Sequence, residues 1–132
     1  MTQLTSIGVS ILGFLVLDGI WLGVVMNDFY VKHLAPIARI TDGSFTPIWA
    51  AAAPVYVLLG LGVALLAVPR ATSLVSAAAY GALFGIVVYG VYDLTNYSTL
   101  AQWPAIVTVA DIAWGTIACA LVAVVTFVVS RR

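Results

Sequence analysis

Three aspartates carry whatever chemistry this chain has. Asp18 and Asp111 stand inside long apolar runs, and Asp93 stands near the end of another. The first two head the same short pattern, Asp18-Gly19-Ile20-Trp21 and Asp111-Ile112-Ala113-Trp114. Asp93 lies in the stretch Y-G-V-Y-D-L-T-N-Y, with Asn96 three residues on. A carboxyl in apolar surroundings can exchange a proton, hold a cation or accept hydrogen bonds from a ligand head group. Its burial is expensive: an Asp at mid-membrane costs about 2.5–3.5 kcal/mol on insertion scales, whereas a Leu or Ile returns only about half a kcal/mol. The apolar spans contain no Lys or Arg, so no cation at that depth neutralises the acids. They must be protonated, hydrogen-bonded or coordinated to a cation, and we expect at least one of Asp18 and Asp111 to be neutral.

Suitable partners lie close in sequence. Trp21 and Trp114 stand three residues after their aspartates, on the same helix face. Thr108 precedes Asp111 by three, Tyr89 precedes Asp93 by four, and Tyr97 follows Asn96. Indole N–H, phenol O–H and amide groups all suit a carboxylate in lipid. A ligand- or proton-binding set of Asp18, Trp21, Asp93, Asn96, Thr108, Asp111 and Trp114 follows. Structural readings stand beside it. Tyr30, Tyr92, Tyr97 and Trp103 could be an interfacial aromatic belt. Asp93 with Asn96 could close a helix end, and Asp18 with Asp111 could be hydrogen-bonded glue between helices, worth about 1–2 kcal/mol.

The elements that position these residues are membrane helices. The 132-residue chain is 64% hydrophobic and only 8% charged, with mean hydropathy +1.16 and zero formal net charge. A soluble domain carries about a quarter charged residues, so the solvent this chain expects is lipid. One helical membrane domain over residues 1–132 accounts for the whole chain, with no linker. No basic surface argues for nucleic acid, and the single Cys119 reads as a small buried residue. Met1 to Ser6 lacks the basic region of a cleavable signal. A bilayer-crossing helix needs about 20 apolar residues. Four stretches qualify: about Leu4–Met26, Pro47–Val68, Ser73–Tyr92 (reaching toward Thr95) and Pro104–Val129. The fold class is thus all-α, an integral membrane four-helix bundle.

Prolines mark the ends. Thr46-Pro47 and Trp103-Pro104 read as helix starts with proline at the first position. Pro69-Arg70 closes the second span, making the second and third an antiparallel hairpin. Pro54 inside the second span removes one hydrogen bond. Asn27–Ser44 is the one long connection. Its Asp28, Lys32 and Arg39 recur at helical spacing opposite Phe29, Tyr30, Leu34, Ile37 and Ile40, so we read a short interfacial amphipathic segment bent at Pro36. His33 lies within it. Gly19-x-x-x-Gly23, Gly60-x-x-x-Ala64 and Gly81-x-x-x-Gly85 read as helix-packing faces.

Topology then sets depth. The amino terminus, Arg70 and Arg131-Arg132 share one side, with Lys32 and Arg39 on the other, so both termini are expected in the cytoplasm, with so small a bias that insertion in both orientations stays open. Asp18 stands eight residues before the end of the first span and Asp111 seven after Pro104. At 1.5 Å per residue both lie roughly 10–12 Å below the outer interface, with Asp93 at that end of the third helix.

The motifs L-D-G-I-W-L-G, Y-G-V-Y-D-L-T-N-Y-S-T-L-A-Q-W-P and D-I-A-W-G resemble the bacterial predicted membrane proteins catalogued as domain of unknown function 2177. The resemblance covers essentially the whole chain. It implies a four-helix, multi-pass protein of the bacterial inner membrane and no established activity. Some similar proteins lie beside lipid-modifying genes, which points toward acyl chains. The layout also shares its size and near-balanced charge with small multidrug-resistance transporters, which use a membrane-embedded Glu where this chain has no Glu at all.

The function expected first is binding or transport of a lipid-like, small amphipathic or cationic ligand, with coupling to protons. Alternatives are an enzyme or subunit in lipid or fatty-acyl modification, and an assembly or scaffold protein using its glycine faces. There is no His cluster, nucleophile motif or Gly-rich phosphate loop, so we expect no metal and no cofactor. Membrane lipids and a small-molecule ligand are the expected partners, with homo-oligomerisation open.

Overall fold

The computed structural model describes residues 2–131, so Met1 and Arg132 of the expected terminal charges lie outside it. Four helical stretches are long and apolar enough to cross a membrane: Gln3–Val25, Trp49–Arg70, Leu74–Thr99 and Ala105–Ser130. The first is α1 (Gln3–Ile20) continued by a π-turn, Trp21–Val25. After it come α2 (Asn27–Leu34), then the two-residue strands β1 (Ile40–Thr41) and β2 (Ser44–Phe45). The second span is α3 (Trp49–Gly62), which runs through Pro54 into a π-turn, Val63–Ala67, and a 3-10 turn, Val68–Arg70. The last two are α4 (Leu74–Thr99) and α5 (Ala105–Ser130). Within the spans only 17–39% of residues are buried inside the bundle. Leu12, Val16, Leu58, Val75, Val91, Val109 and Val125 face outward, a surface that lipid must cover.

Several ends depart from expectation. Thr46 and Pro47 precede the helix, and Ile48 takes the capping position in extended conformation. Thr46 is held by the hairpin instead: its N–H donates to the Arg39 carbonyl at 2.9 Å. Pro104 likewise caps α5 rather than opening it. The third span runs on to Thr99, and the Ser98 and Thr99 hydroxyls of its last turn donate back to the Thr95 carbonyl, each at 2.8 Å. Its start is a capping box: the Ser76 N–H donates to Ser73 Oγ and the Ser73 N–H to Ser76 Oγ.

The long connection is only half helical. α2 stops at Leu34, short of Pro36, and Arg39 leads into an antiparallel pair with Ile40 opposite Phe45. The turn is Asp42-Gly43, both with positive φ (49° and 75°), as a two-residue hairpin of the I′ kind requires. A valine at 43 would hold a β-branched side chain in left-handed backbone, at a cost of about 1–2 kcal/mol. Gly43→Val is expected to speed amide exchange across residues 40–45 and to leave the four spans protected.

Packing is tightest between α4 and α5. A Cβ on Gly81 would overlap the Cys119 carbonyl, and one on Gly85 the Gly115 carbonyl. Gly60 meets Ile11 on α1 in the same way. Phe14, Val63, Ala118, Cys119, Val122 and Phe127 form the core at the Arg70 end, and the buried hydroxyls of Ser10 and Thr126 bond at 2.9 Å between α1 and α5. Gly19 and Gly23 behave differently: a Cβ on either meets nothing within 4 Å, so among the described residues this motif faces no other helix of the chain. α3 and α4 are joined by a short turn but touch chiefly through the π-turn and 3-10 turn at that end. Toward their other ends they diverge.

Candidate functional site

The divergence leaves a cavity of about 840 Å³. α1 contributes Leu15, Asp18 and Gly19 to its wall, α3 contributes Tyr56, α4 contributes Tyr89 and Tyr92, and α5 contributes Asp111 and Trp114. Tyr30 of α2, Arg39 and Phe45 close it from the connection side. Asp18 and Asp111 therefore line one cavity.

Their hydrogen bonds do not follow the Asp-x-x-Trp spacing. Neither tryptophan serves the aspartate three residues before it. Trp114 Nε1 donates across the bundle to Asp18 Oδ1 at 2.8 Å. Trp21 Nε1 donates to the Tyr30 hydroxyl at 3.1 Å, and that hydroxyl donates to Asp111 Oδ1. The two indoles stack face to face, with centroids 4.3 Å apart and planes 1° from parallel. A side chain on a helix leans toward the preceding turn, so an indole three residues on can clear its own aspartate and reach a neighbour. Each acid is thereby served from another element, and the stack ties α1 to α5.

Tyr30 joins the loop-side α2 to this network and is only 3% exposed. Burial, then its bond to Asp111, hold its phenol above the ordinary range, so it remains the donor. Tyr56 faces Asp18 from α3. Tyr89 lies over Gly115, where a Cβ would strike its ring.

The remaining expected residues divide. Asp93 is completely buried, and neither carboxyl oxygen receives a donor. Its carboxyl meets that of Asp111 across the α4–α5 contact. Thr108 is a structural neighbour: its hydroxyl receives Trp103 Nε1 at 3.0 Å and reaches the Asp93 carbonyl at 3.5 Å. Asn96 lies outside the acid cluster, in a second, smaller hollow of about 310 Å³ with Tyr92 and Trp103. His33 turns back onto its own helix, with Nδ1 2.8 Å from the Phe29 carbonyl. Among the described residues no group of three His, Cys, Asp or Glu side chains converges as a metal site.

Tyr30 and Tyr56 are not legible as site residues from the sequence, and Arg39 only as a cation that, like Lys32, could fold back from the surface segment. Tyr56 had a signal: between Ala50 and Val68 it is the only side chain with a hydrogen-bonding group. Tyr30 had a weaker one, a polar tip on the apolar face of an amphipathic segment. Arg39 depends on the hairpin, which Asp42-Gly43 signals but does not orient.

A family model described as Predicted membrane protein (DUF2177) matches residues 3–128. No curated protein and no solved structure matches the chain.

Proposed function

The chain belongs to this family of predicted membrane proteins, and on that premise we propose that it binds an amphipathic, lipid-like molecule whose polar end meets Asp18 and Asp111. Multi-pass membrane residence follows from the family and the four apolar spans. The reading is carried by one observation: a cavity of about 840 Å³ between diverging helices, with the carboxyls of Asp18 and Asp111 on a mostly aromatic and aliphatic wall that also carries Asn27, Arg39 and Ser44 toward the connection. That size lies within the range of about 300–1,000 Å³ typical of small-molecule sites. Leu15, Leu22, Leu34 and Phe45 offer an apolar chain its surroundings, and the acids favour a cationic or hydrogen-bond-donating head. Transport of this ligand, coupled to protons, extends the same reading. The membrane is the bacterial inner membrane, with both termini cytoplasmic in accord with the basic residues on their side.

A lipid-modifying enzyme has less support. Asp18 is engaged by Trp114 while Asp111 is engaged by Tyr30 and Asp93, so the acids are not arranged as a free acid–base pair.

The test uses purified protein in nanodiscs, titrated with a long-chain alkyltrimethylammonium and, separately, with an alkyl sulfate of equal chain length. Tryptophan fluorescence from the Trp21–Trp114 stack reports binding. The ammonium compound is expected to bind saturably, and Asp18→Asn to weaken it about tenfold, the equivalent of 1.4 kcal/mol. Equal binding of the sulfate, or no effect of Asp18→Asn, would remove the reading.

A further inference from the structure

We propose that Asp93 and Asp111 form a proton-binding site of their own, one proton held between two carboxyl groups, separate from the ligand-facing Asp18.

The starting point is the unpartnered Asp93. Its side chain is 0% exposed and both oxygens lack a donor, whereas buried polar atoms are almost always hydrogen-bonded. Among the described residues, the side chain whose polar group meets its carboxyl is that of Asp111. An ionised carboxyl is purely an acceptor, so two ionised groups can form no bond and simply repel. A single proton changes this. Asp93, protonated, donates to Asp111, and Asp111 keeps its negative charge while also accepting the Tyr30 hydroxyl. One Asp93 oxygen then has a partner while the other still lacks a donor, and the pair carries one negative charge rather than two.

The surroundings favour that state. From α2 the pair meets Tyr30; from α4, Tyr89 and Tyr92 act on it; Asp18 faces Asp111 from α1. Tyr56 of α3 faces Asp18 instead. Arg39 lines the cavity that Asp111 borders, but the groups acting directly on Asp111 are Tyr30 and Asp93. No cation thus substitutes for the proton. Asp93 is also absent from the cavity wall, which Asp18 and Asp111 line. The proton thus sits on Asp93 behind the wall, while its partner Asp111 stands on the wall with Asp18. Uptake of a second proton would neutralise Asp111 and weaken the acceptor that holds Tyr30, and with it α2, against the bundle.

Infrared spectroscopy of the protein in nanodiscs tests this without a ligand. The measurement follows the carbonyl stretch of a protonated carboxyl at neutral pH and its shift in D2O. Asp18→Asn removes any contribution from Asp18 while leaving Trp114 an acceptor. The band is expected in the wild type and in Asp18→Asn, and to vanish in Asp18→Asn/Asp93→Asn, where an amide supplies the donor. Should Asn at 93 fail to fold, Asp93→Ser takes its place. No band in the wild type, loss in Asp18→Asn, or persistence in the double variant each overturns the assignment. Loss of alkylammonium binding in Asp18→Asn with the band intact would leave both readings standing. An intact band with no such binding in the wild type would remove only the ligand reading.

Discussion

Replacing Gly85 with leucine should abolish the folded bundle, while the same replacement at Gly19 should leave it folded. The two glycines belong to identical small-xxx-small patterns and differ only in what faces them. A Cβ on Gly85 would lie on the carbonyl group of Gly115 and against the Thr116 Cα. These are backbone atoms of a packed helix, so relief requires α4 and α5 to separate along their main contact. Overpacking that neighbouring side chains can absorb costs about 1–3 kcal/mol; here the opposing atoms cannot turn away, and we expect a loss above that range. At Gly19 nothing lies within 4 Å, and leucine forms helix better than glycine by roughly 0.8 kcal/mol. Its side chain would instead enter the cavity that Gly19 borders. Denaturation in SDS, followed by tryptophan fluorescence, should show Gly85→Leu unfolded at the outset and Gly19→Leu near the wild-type midpoint. Gly19→Leu should nevertheless lose alkylammonium binding. If instead Gly19→Leu unfolds the protein, its motif is a packing face and a scaffold role regains weight.

Trp114→Phe is the second large effect, because it takes the indole donor from a buried carboxyl and leaves it only Tyr56. Asp18 is 7% exposed and takes its 2.8 Å bond from Trp114 Nε1. Phenylalanine keeps part of the stack with Trp21 but removes the donor. An unsatisfied buried polar group costs about 1–3 kcal/mol, and a charged one more. We expect a loss near 3 kcal/mol, part of it relieved when Asp18 is also changed to Ala. The cycle of Asp18→Ala with Trp114→Phe should return a coupling of about 1–2 kcal/mol. The companion cycle of Asp18→Ala with Trp21→Phe should return close to zero, since Trp21 donates to Tyr30. The reverse ranking would mean that each tryptophan serves its own helix after all.

That pair of cycles marks where sequence reasoning stopped. Spacing along one helix is a local property, and it sets Asp18 and Asp111 at similar distances from the ends of their spans. Which indole bonds which carboxyl depends on the rotation of α1 relative to α5, and no count of residues contains that angle. Asn96 shows the same limit: three residues after Asp93 it stays on the same helix, yet it faces the smaller hollow with Tyr92 and Trp103. The hairpin after α2 was missed for another reason. Helical spacing of Asp28, Lys32 and Arg39 was extended past Pro36, although Asp42-Gly43 is a turn signal in its own right.

Residue types and run lengths alone gave the solvent and the number of spans. Each follows from summed transfer energies and a fixed rise per residue, quantities that hold for any packing of the helices. Only the tertiary structure decided that α3 diverges from α4 to leave a cavity, that Tyr30 reaches back to Asp111, and that Asp93 lies behind it without a donor. Those facts come from close contacts between distant residues, Gly85 on Gly115 and Gly60 on Ile11. Where glycines let backbones touch, the remaining surfaces are held apart, and that gap is a property of the assembled bundle rather than of any one helix.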